Sequence, residues 1–206
     1  MAAGMTTDSL RRAIVLFSEK MRQCADELNG LDGAVGDGDL GVAMLRAAER
    51  LTNEAPSLPA DFGMALFKCA QAFTSISAST YGTLLATGLM AAAKLTKGRT
   101  EVPWAETSSL LGAALKAMSD RGKGQLGDKT VLDAVEAARR ATEELEDPAA
   151  LAAAAVAAIQ QAVASVRGQQ FRQGRARIFG AKGIGLDDPG MVAFQRIVEG
   201  LSPLPR

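Results

Sequence analysis

The sequence predicts an all-α protein, a single domain built as an antiparallel eight-helix bundle or barrel. Apolar residues recur in steps of three and four along most of the chain, which is the spacing of one helix face. No stretch alternates with the period of two that is typical of strands. The chain of 206 residues is 48% hydrophobic and has neither an internal repeat nor a linker, which indicates one packed core. Most connections are short, so consecutive helices are expected to lie antiparallel.

The first helix is predicted from Asp8 to Leu28, because its apolar residues form one stripe: Leu10, Ile14, Phe17, Met21, Cys24 and Leu28. Asn29 and Gly30 readily adopt left-handed backbone angles, and they are predicted to end this helix. The second helix is predicted from about Leu40 to Asn53. It stops before Pro56, because proline cannot continue a helix.

Six further helices are predicted at about residues 60–74, 81–96, 104–119, 128–146, 148–167 and 189–201. Asp128 is expected to cap the sixth helix. Asp147, followed by Pro148 at the first helical position, is a typical start for the seventh. Loops that position functional groups tend to be long and rich in glycine. A functional site is therefore expected in the glycine-bearing connections at residues 30–40, 121–127 and 168–188.

Composition excludes several classes of function. Lys plus Arg and Asp plus Glu are both 23, so no basic field attracts nucleic acid or an anionic membrane. The N-terminus lacks the pattern of a signal peptide. The alanine-rich run from Pro148 to Ile159 is shorter than the ~20 residues of a membrane span, which favours a buried helix. Cys24 and Cys69 lie in apolar surroundings, and reduced thiols in a cytoplasmic protein are expected rather than a disulfide.

The chain contains no histidine. It therefore lacks the side chain that most often serves as a general base, and it cannot form a phosphohistidine or hold a ketone as a histidine hemiaminal. Any chemistry that needs a histidine must come from a partner protein.

The most informative segment is residues 28–41, in which Asp32, Asp37 and Asp39 are interleaved with five glycines. Like charges about 4 Å apart repel by about 4 kcal/mol at an effective dielectric constant near 20, so a cation is expected between them. Carboxylate oxygens on a turn suit Mg²⁺, and the helix that begins at Leu40 directs its free N–H groups to the same place. The alternative is a solvated acidic turn with Asp39 as the helix N-cap. The sequence fits neither an EF-hand nor a P-loop.

Three more segments have weaker signals. Residues 77–83 form a hydroxyl-rich turn that suits a phosphate or ribose contact, although ordinary helix capping also explains it. Residues 122–130 are a glycine-rich loop before a helix. Gly174-Arg175 leads to Asp188-Pro189-Gly190, and Arg175 is either a phosphate-binding fork or an exposed arginine.

Together and in this order, these segments resemble the nucleotide-binding L subunit of dihydroxyacetone kinases. The shared elements are Asp-x4-Asp-x-Asp, Tyr-Gly-Thr, Gly-Asp-Lys-Thr, Gly-Arg-Ala and Asp-Pro-Gly, and they span nearly the whole chain. The resemblance implies an eight-helix barrel with ADP or ATP bound in loops at one end. It also implies that Asp32, Asp37 and Asp39 hold two Mg²⁺ ions that bridge the phosphates.

The resemblance further assigns nucleotide contacts and no catalytic side chain of the chain's own. Leu40, Gly41, Val42 and Ala43 correspond to backbone phosphate contacts. Ser77 and Ala78, in the hydroxyl-rich turn, fall where the family binds phosphate. Gly122 and Val131 correspond to the border of the adenine. The family's site is completed at positions that match Arg175, Asp188, Pro189 and Gly190.

The chain departs from the family pattern at three of these positions. Leu40 replaces a histidine, Ala43 an asparagine, and Ala78 a glycine. The remaining carboxylates and Arg175 keep metal–nucleotide binding as the main expectation.

In this family a K-type subunit holds the ketose covalently through a histidine, which agrees with the missing histidine here. The resemblance therefore implies a kinase subunit that needs a K-type partner. Its ADP is either a fixed coenzyme, recharged by a phosphotransferase-system donor protein, or it exchanges freely with ATP. A homodimer is also possible.

Two other hypotheses remain. One is a non-catalytic regulatory module that binds the nucleotide and acts on a partner protein. The other is the related fatty-acid kinase nucleotide domain, which is disfavoured because its acidic loop carries a proline that Leu-Asp-Gly-Ala-Val-Gly lacks.

Overall fold

The structure, a computed structural model, describes residues 4–74 and 80–202. Within these ranges the chain forms eight α-helices and little else. They are α1 (Thr7–Val35), α2 (Leu40–Glu54), α3 (Phe62–Thr74), α4 (Thr80–Thr96), α5 (Thr107–Gly122), α6 (Val131–Ala141), α7 (Pro148–Val166) and α8 (Pro189–Leu201). Short 3-10 helices occupy Ala55–Ser57, Trp104–Glu106 and Arg175–Gly183. The all-α prediction is confirmed.

Consecutive helices are neighbours, and α8 packs against both α7 and α1, so the helices close into a ring. Their apolar faces meet in one main core. Large apolar side chains that are fully buried in it include Met21 and Leu28 of α1, Met44 of α2, Ile159 of α7 and Met191 of α8. Burial on one stripe of each helix is what the sequence periodicity predicted.

Two strands of two residues each were not predicted. Strand β1 (Met5–Thr6) pairs antiparallel with β2 (Glu101–Val102), and Met5 lies opposite Val102. Such short strands leave no alternating pattern in the sequence, because period-two alternation needs at least four residues or so to be visible.

The first helix is longer than predicted. It continues through Asn29 and Gly30 to Val35, and neither residue adopts a left-handed conformation. The side chain of Asn29 accepts a hydrogen bond from the Val42 N–H at 3.2 Å, so it supports the start of α2 instead of ending its own helix. Buried Val35 holds the extra turns against the core. The prediction was wrong because these tertiary contacts outweigh the local preference for a helix end.

The start of α6 also differs from the prediction. Thr130, not Asp128, is the N-cap, and Asp133 accepts a hydrogen bond from the Thr130 N–H at 2.9 Å in a capping box. Asp128 instead accepts from the Gln125 N–H at 2.8 Å within the preceding turn. The predicted cap at Asp147 is confirmed, because its carboxylate accepts from the Ala150 N–H at 2.9 Å.

Among the described residues, α7 is the one helix with the length and mean hydropathy (1.7) of a membrane span, which by itself is weak evidence for one. Its apolar run is longer than the sequence analysis assumed. Leu151, Ala155 and Ile159 are buried, and the helix packs against α6 and α8. Cys24 and Cys69 are both free and buried, as predicted.

Gly30→Ala tests the extended α1. Gly30 is exposed and helical, and an added Cβ would meet no atom within 4 Å. Alanine is therefore expected to stabilise the protein by about 0.5–1 kcal/mol, measured by urea unfolding. Gly63→Ala is the matched control. A Cβ there would lie 2.5 Å from the Lys97 backbone nitrogen, so this change should destabilise the fold. A clear loss of stability in Gly30→Ala would mean that the helix ends at Gly30 after all.

Candidate functional site

A cavity of about 720 Å³ opens at one end of the ring. Its walls come from the last turns of α1 and α5, the first turns of α2, α4, α6 and α8, and the loop around Arg175. Four helix N-termini thus face one space. The N-terminal end of each helix dipole amounts to about half a positive charge, so together they favour an anion. The volume falls in the usual range for small-molecule sites, about 300–1,000 Å³.

The three aspartates of the 28–41 segment meet at the edge of this cavity, and we call them the acidic cluster. Asp32 lies in the last turn of α1, Asp37 in the connecting turn, and Asp39 directly before α2. One carboxylate oxygen of each lies within 4.8 Å of the other two. Asp32 is half-buried, whereas the other two are exposed.

The turn that builds the acidic cluster is held by backbone contacts. The Asp32 carboxylate accepts a hydrogen bond from the Asp39 N–H at 3.0 Å. A Cβ on Gly36 would lie 2.6 Å from the Asp32 Oδ1, and Gly38 has a left-handed φ of 77°. Both positions therefore require glycine for the turn to close.

Asp39 occupies the N-cap position of α2, as the alternative predicted, but it does not cap the helix through its carboxylate. Its side chain makes no cap hydrogen bond to α2, and Asn29 accepts from the Val42 N–H instead. The Asp39 carboxylate is therefore available as a ligand.

Arg175 reaches the acidic cluster from a distant part of the chain. It begins the 3-10 helix Arg175–Gly183, and its guanidinium is ion-paired with the Asp37 carboxylate. The hydrogen bond from the Arg175 guanidinium holds the pKa of the Asp37 carboxyl below its ordinary value. Both side chains are exposed, so the pair is open to exchange with a ligand.

The structure brings most of the predicted site residues into this cavity. Besides the acidic cluster, they are Leu40, Val42, Ala43, Gly122, Val131, Arg175, Asp188, Pro189 and Gly190. Gly41 does not line it. That residue is buried, and a Cβ there would overlap the carbonyl oxygen of Ala25, so its absence of a side chain lets α2 approach α1. Ser77 and Ala78 lie outside the described residues.

The start of α8 forms another wall of the cavity. Asp188 is its N-cap and accepts from the Met191 N–H at 2.7 Å. Burial raises the pKa of Asp188 to about 7. A Cβ on Gly190 would lie 3.2 Å from the Tyr81 ring, so glycine lets α8 pack closely against the first turn of α4.

Several residues of the cavity were missed by the sequence analysis. Leu84, Met118 and Leu132 come from the neighbouring helices α4, α5 and α6, the last two of which also carry Gly122 and Val131, and they give the cavity an apolar part. They belong to the apolar stripes of their helices, so the sequence alone does not distinguish them from core residues.

Arg46 was also missed. It lines the cavity on α2 and is exposed, and it forms no ion pair within residues 4–74 and 80–202. Asp39, Val42 and Arg46 are spaced by three and four, which puts them on one face of the helix. Helical side chains lean towards the N-terminus, which favours an Arg46 guanidinium directed back towards the acidic cluster. This spacing is the signal that could have identified it.

The relatives that comparison with known proteins finds are kinases or kinase subunits. The chain is 30% identical over 184 residues to the ADP-binding subunit DhaL of the PEP-dependent dihydroxyacetone kinase of Escherichia coli, covering 86% of this chain and 87% of that subunit. It is 28% identical to the DhaL subunit of the PTS-dependent dihydroxyacetone kinase of Lactococcus lactis, covering 96% and 97%. It is also 30% identical to the triokinase/FMN cyclase of Rattus norvegicus, of which it spans 36%.

A solved structure has the same fold. The dihydroxyacetone kinase of C. freundii in complex with AMP-PNP and Mg²⁺ superposes with a TM-score of 0.74 at 22% identity, covering 97% of this chain and 34% of that one. The chain thus spans about a third of the longer relatives that it matches. The model of the DAK2 domain family matches residues 34–203. With its helical ring, its acidic cluster and these relatives, the chain belongs to the DAK2 domain family.

Proposed function

We propose that this chain is the magnesium–nucleotide subunit of a short-ketose kinase. It binds ADP or ATP and passes a phosphoryl group to a ketose that a separate K-type subunit holds covalently. The observation that carries the proposal is the cavity in which three carboxylates, with oxygens within 4.8 Å of each other, lie beside four helix N-termini. Such a site offers ligands for a hard cation next to donors for an anion.

The acidic cluster fits Mg²⁺ in donor type. Trans oxygens on one octahedral Mg²⁺ are about 4.2 Å apart, because each Mg–O bond is about 2.1 Å long. The three oxygens lie within 4.8 Å of one another, which is close to this distance, so they can share a metal site; the two ions themselves come from the family resemblance. When bound, the ions supply charge neutralisation for the phosphate oxygens, which is the main requirement of phosphoryl transfer.

The cavity also has a polar and an apolar part, which together suggest how a nucleotide would be oriented. Its polar part contains the acidic cluster and the start of α2, and its apolar part contains Leu84, Met118 and Leu132. The nucleotide fits with its phosphates at the polar part and its flat base between Gly122 and Val131 at the apolar part. Arg175 and Arg46 then provide the positive charge for the phosphates, and the N–H groups of the helix ends orient them.

The division of labour between two subunits rests on the missing histidine. The cavity contains metal ligands and phosphate donors but, in a chain without histidine, no group that forms a hemiaminal with a ketone. Two relatives of similar length are ADP-binding subunits of PEP- or PTS-dependent kinases, which supports bound ADP recharged by a phosphotransferase-system donor. The name of the longer triokinase/FMN cyclase mentions no phosphotransferase donor, so ATP that exchanges freely stays as the other variant.

The proposal places the chain in the cytoplasm, where Mg²⁺ and nucleotides are available and the buried thiols stay reduced. A homodimer stays a prediction.

A non-catalytic nucleotide-binding regulator is the second candidate. Leu40 and Ala43, which replace polar residues of the family pattern, both line the cavity beside the acidic cluster. Two apolar side chains there leave the phosphates with fewer side-chain donors, which suits retention of a nucleotide better than its turnover.

Asp39→Asn tests the metal site. Asp39 makes no cap hydrogen bond, so this change removes a ligand charge with little effect on the fold. We expect Mg²⁺-dependent ADP binding, measured by calorimetry, to weaken by at least about tenfold, as for other charged contacts. Asp26→Asn, an exposed change on α1, is the matched control and should bind normally. If wild-type protein binds ADP equally well in Mg²⁺ and in EDTA, the metal-bridged site is wrong.

Arg46→Ala tests the missed arginine. Loss of one charged phosphate contact should weaken Mg-ADP binding by about tenfold and adenosine binding much less. Arg50, one turn further along α2, pairs with Glu54 outside the cavity, so Arg50→Ala should keep wild-type affinity. Equal effects of the two substitutions would remove Arg46 from the site.

A reconstitution assay tests the two-subunit mechanism. The purified chain alone should not phosphorylate dihydroxyacetone, because it cannot hold the ketose covalently. Adding a K-type subunit, with ATP or with a phosphotransferase donor, should yield phosphorylated ketose detectable by mass spectrometry. Nucleotide binding without turnover under both conditions would favour the regulatory candidate. Product from the chain alone would contradict the division of labour.

A further inference from the structure

Lys129 is a fully buried cation outside the lining of the cavity. Its side chain is 1% exposed, and its Nζ donates to the carbonyl oxygens of Arg167 at 3.1 Å, Gln169 at 2.9 Å and Gly183 at 3.2 Å. An ammonium group has three N–H donors, so all of them are used. The ring of Phe171 covers the same group, with its centroid 4.2 Å from the Nζ.

These acceptors lie at the two ends of one segment, residues 167–183. Arg167 and Gln169 follow directly on α7, where backbone carbonyls have no partner within the helix, and Gly183 ends the 3-10 helix Arg175–Gly183. A Cβ on Gly183 would lie 2.6 Å from the Phe171 ring, so the two ends are tightly packed. Lys129 therefore closes residues 167–183 into a loop with both ends fixed.

Lys129 is itself held rigidly. It has a left-handed φ of 62° and directly precedes Thr130, the N-cap of α6. Asp133 accepts from the Gly127 N–H at 2.6 Å and from the Thr130 N–H at 2.9 Å, which fixes the turn on both sides. The Asp128 carbonyl accepts from the Arg172 N–H at 3.2 Å and adds a further link to the 167–183 loop.

Arg175 lies between the two fixed ends. It is exposed, follows a glycine with a left-handed φ of 66°, and is 138 residues away from its partner Asp37. An exposed pair of this kind supplies little energy of its own to hold a loop in place. The buried ammonium of Lys129, with four partners in this segment, attaches the loop more firmly than this exposed pair does.

We propose that Lys129 is a positioning residue for the phosphate-binding end of the cavity, which it serves by fixing the 167–183 loop so that Arg175 lies at the acidic cluster. The inference rests on the proposed function, in which Arg175 contacts the nucleotide phosphates. A neutral side chain at position 129 would take the charged donor away from all three carbonyl groups. The carbonyls of Arg167 and Gly183 would keep the N–H groups of Gly185 and Leu186, whereas the Gln169 carbonyl would turn to water, which would loosen the loop.

Lys129→Met, Arg175→Ala and the double variant form the test. Each single change is expected to weaken Mg-ADP binding about tenfold, measured by calorimetry. If Lys129 acts through Arg175, the double variant should bind no more than about twofold weaker than Arg175→Ala alone, because the two losses are not independent. Losses that multiply would show that Lys129 supports only the fold in general, and they would overturn the inference.

Limited trypsin digestion gives a readout without nucleotide. Cleavage at Arg172, Arg175 and Arg177 should be at least several times faster in Lys129→Met than in wild type, located by mass spectrometry. Lys116→Met is the matched control, because Lys116 is an exposed lysine on α5 that pairs with Asp120. It should change neither digestion nor affinity. Unchanged digestion in Lys129→Met would overturn the inference.

The two proposals fail in different ways. Normal affinity in Arg175→Ala would remove Arg175 from the phosphate site and contradict that part of the proposed function. In that case faster digestion of Lys129→Met would still show the fixed loop. Weak binding in Arg175→Ala with normal binding in Lys129→Met would overturn only the positioning role.

If Lys129→Met does not fold, Phe171→Leu is the second variant. It removes the covering ring and keeps the ammonium, and it should weaken Mg-ADP binding and speed up digestion in the same way.

Discussion

Repulsion between the three carboxylates of the acidic cluster is the constraint around which this end of the protein is built. At separations near 4 Å each pair costs about 4 kcal/mol at an effective dielectric constant near 20. The Asp39 N–H and the Arg175 guanidinium each offset part of this repulsion. Three carboxylates with one guanidinium still leave two negative charges, which a divalent cation would neutralise. The nearby groups therefore fit the metal and the anion of the proposed function.

The helical ring explains why the anion belongs beside the cation. Alternating helices bring the N-termini of α2, α4, α6 and α8 to one end, and their dipoles favour negative charge. Asp32 is the exception, because it lies in the last turn of α1, where no basic residue accompanies it. A carboxylate at the negative end of a helix is unfavourable without a cation. Residues whose charge opposes the local helix dipole, as Asp32 does, tend to mark functional sites.

The loop that carries Arg175 depends on a different kind of interaction. Its sequence has glycines and exposed charges and no long helix, so little holds it in place from within. The buried ammonium of Lys129 attaches both of its ends to the start of α6. The start of α6 also borders the cavity, at Thr130, Val131 and Leu132. One rigid unit therefore supports two walls of the proposed nucleotide site.

The sequence by itself determined the helical class, most helix positions and the cap at Asp147, because these depend on apolar periodicity and local hydrogen bonding. The spacing of Asp32, Asp37 and Asp39 likewise brought them together through a short turn. Only the tertiary structure decided that α1 continues past Gly30, that Thr130 caps α6, and that Arg46 faces the cavity. The pairing of Arg175 with Asp37 and the burial of Lys129 also join residues distant in sequence. No local preference encodes such contacts, since their energy comes from packing that exists only once the ring has closed.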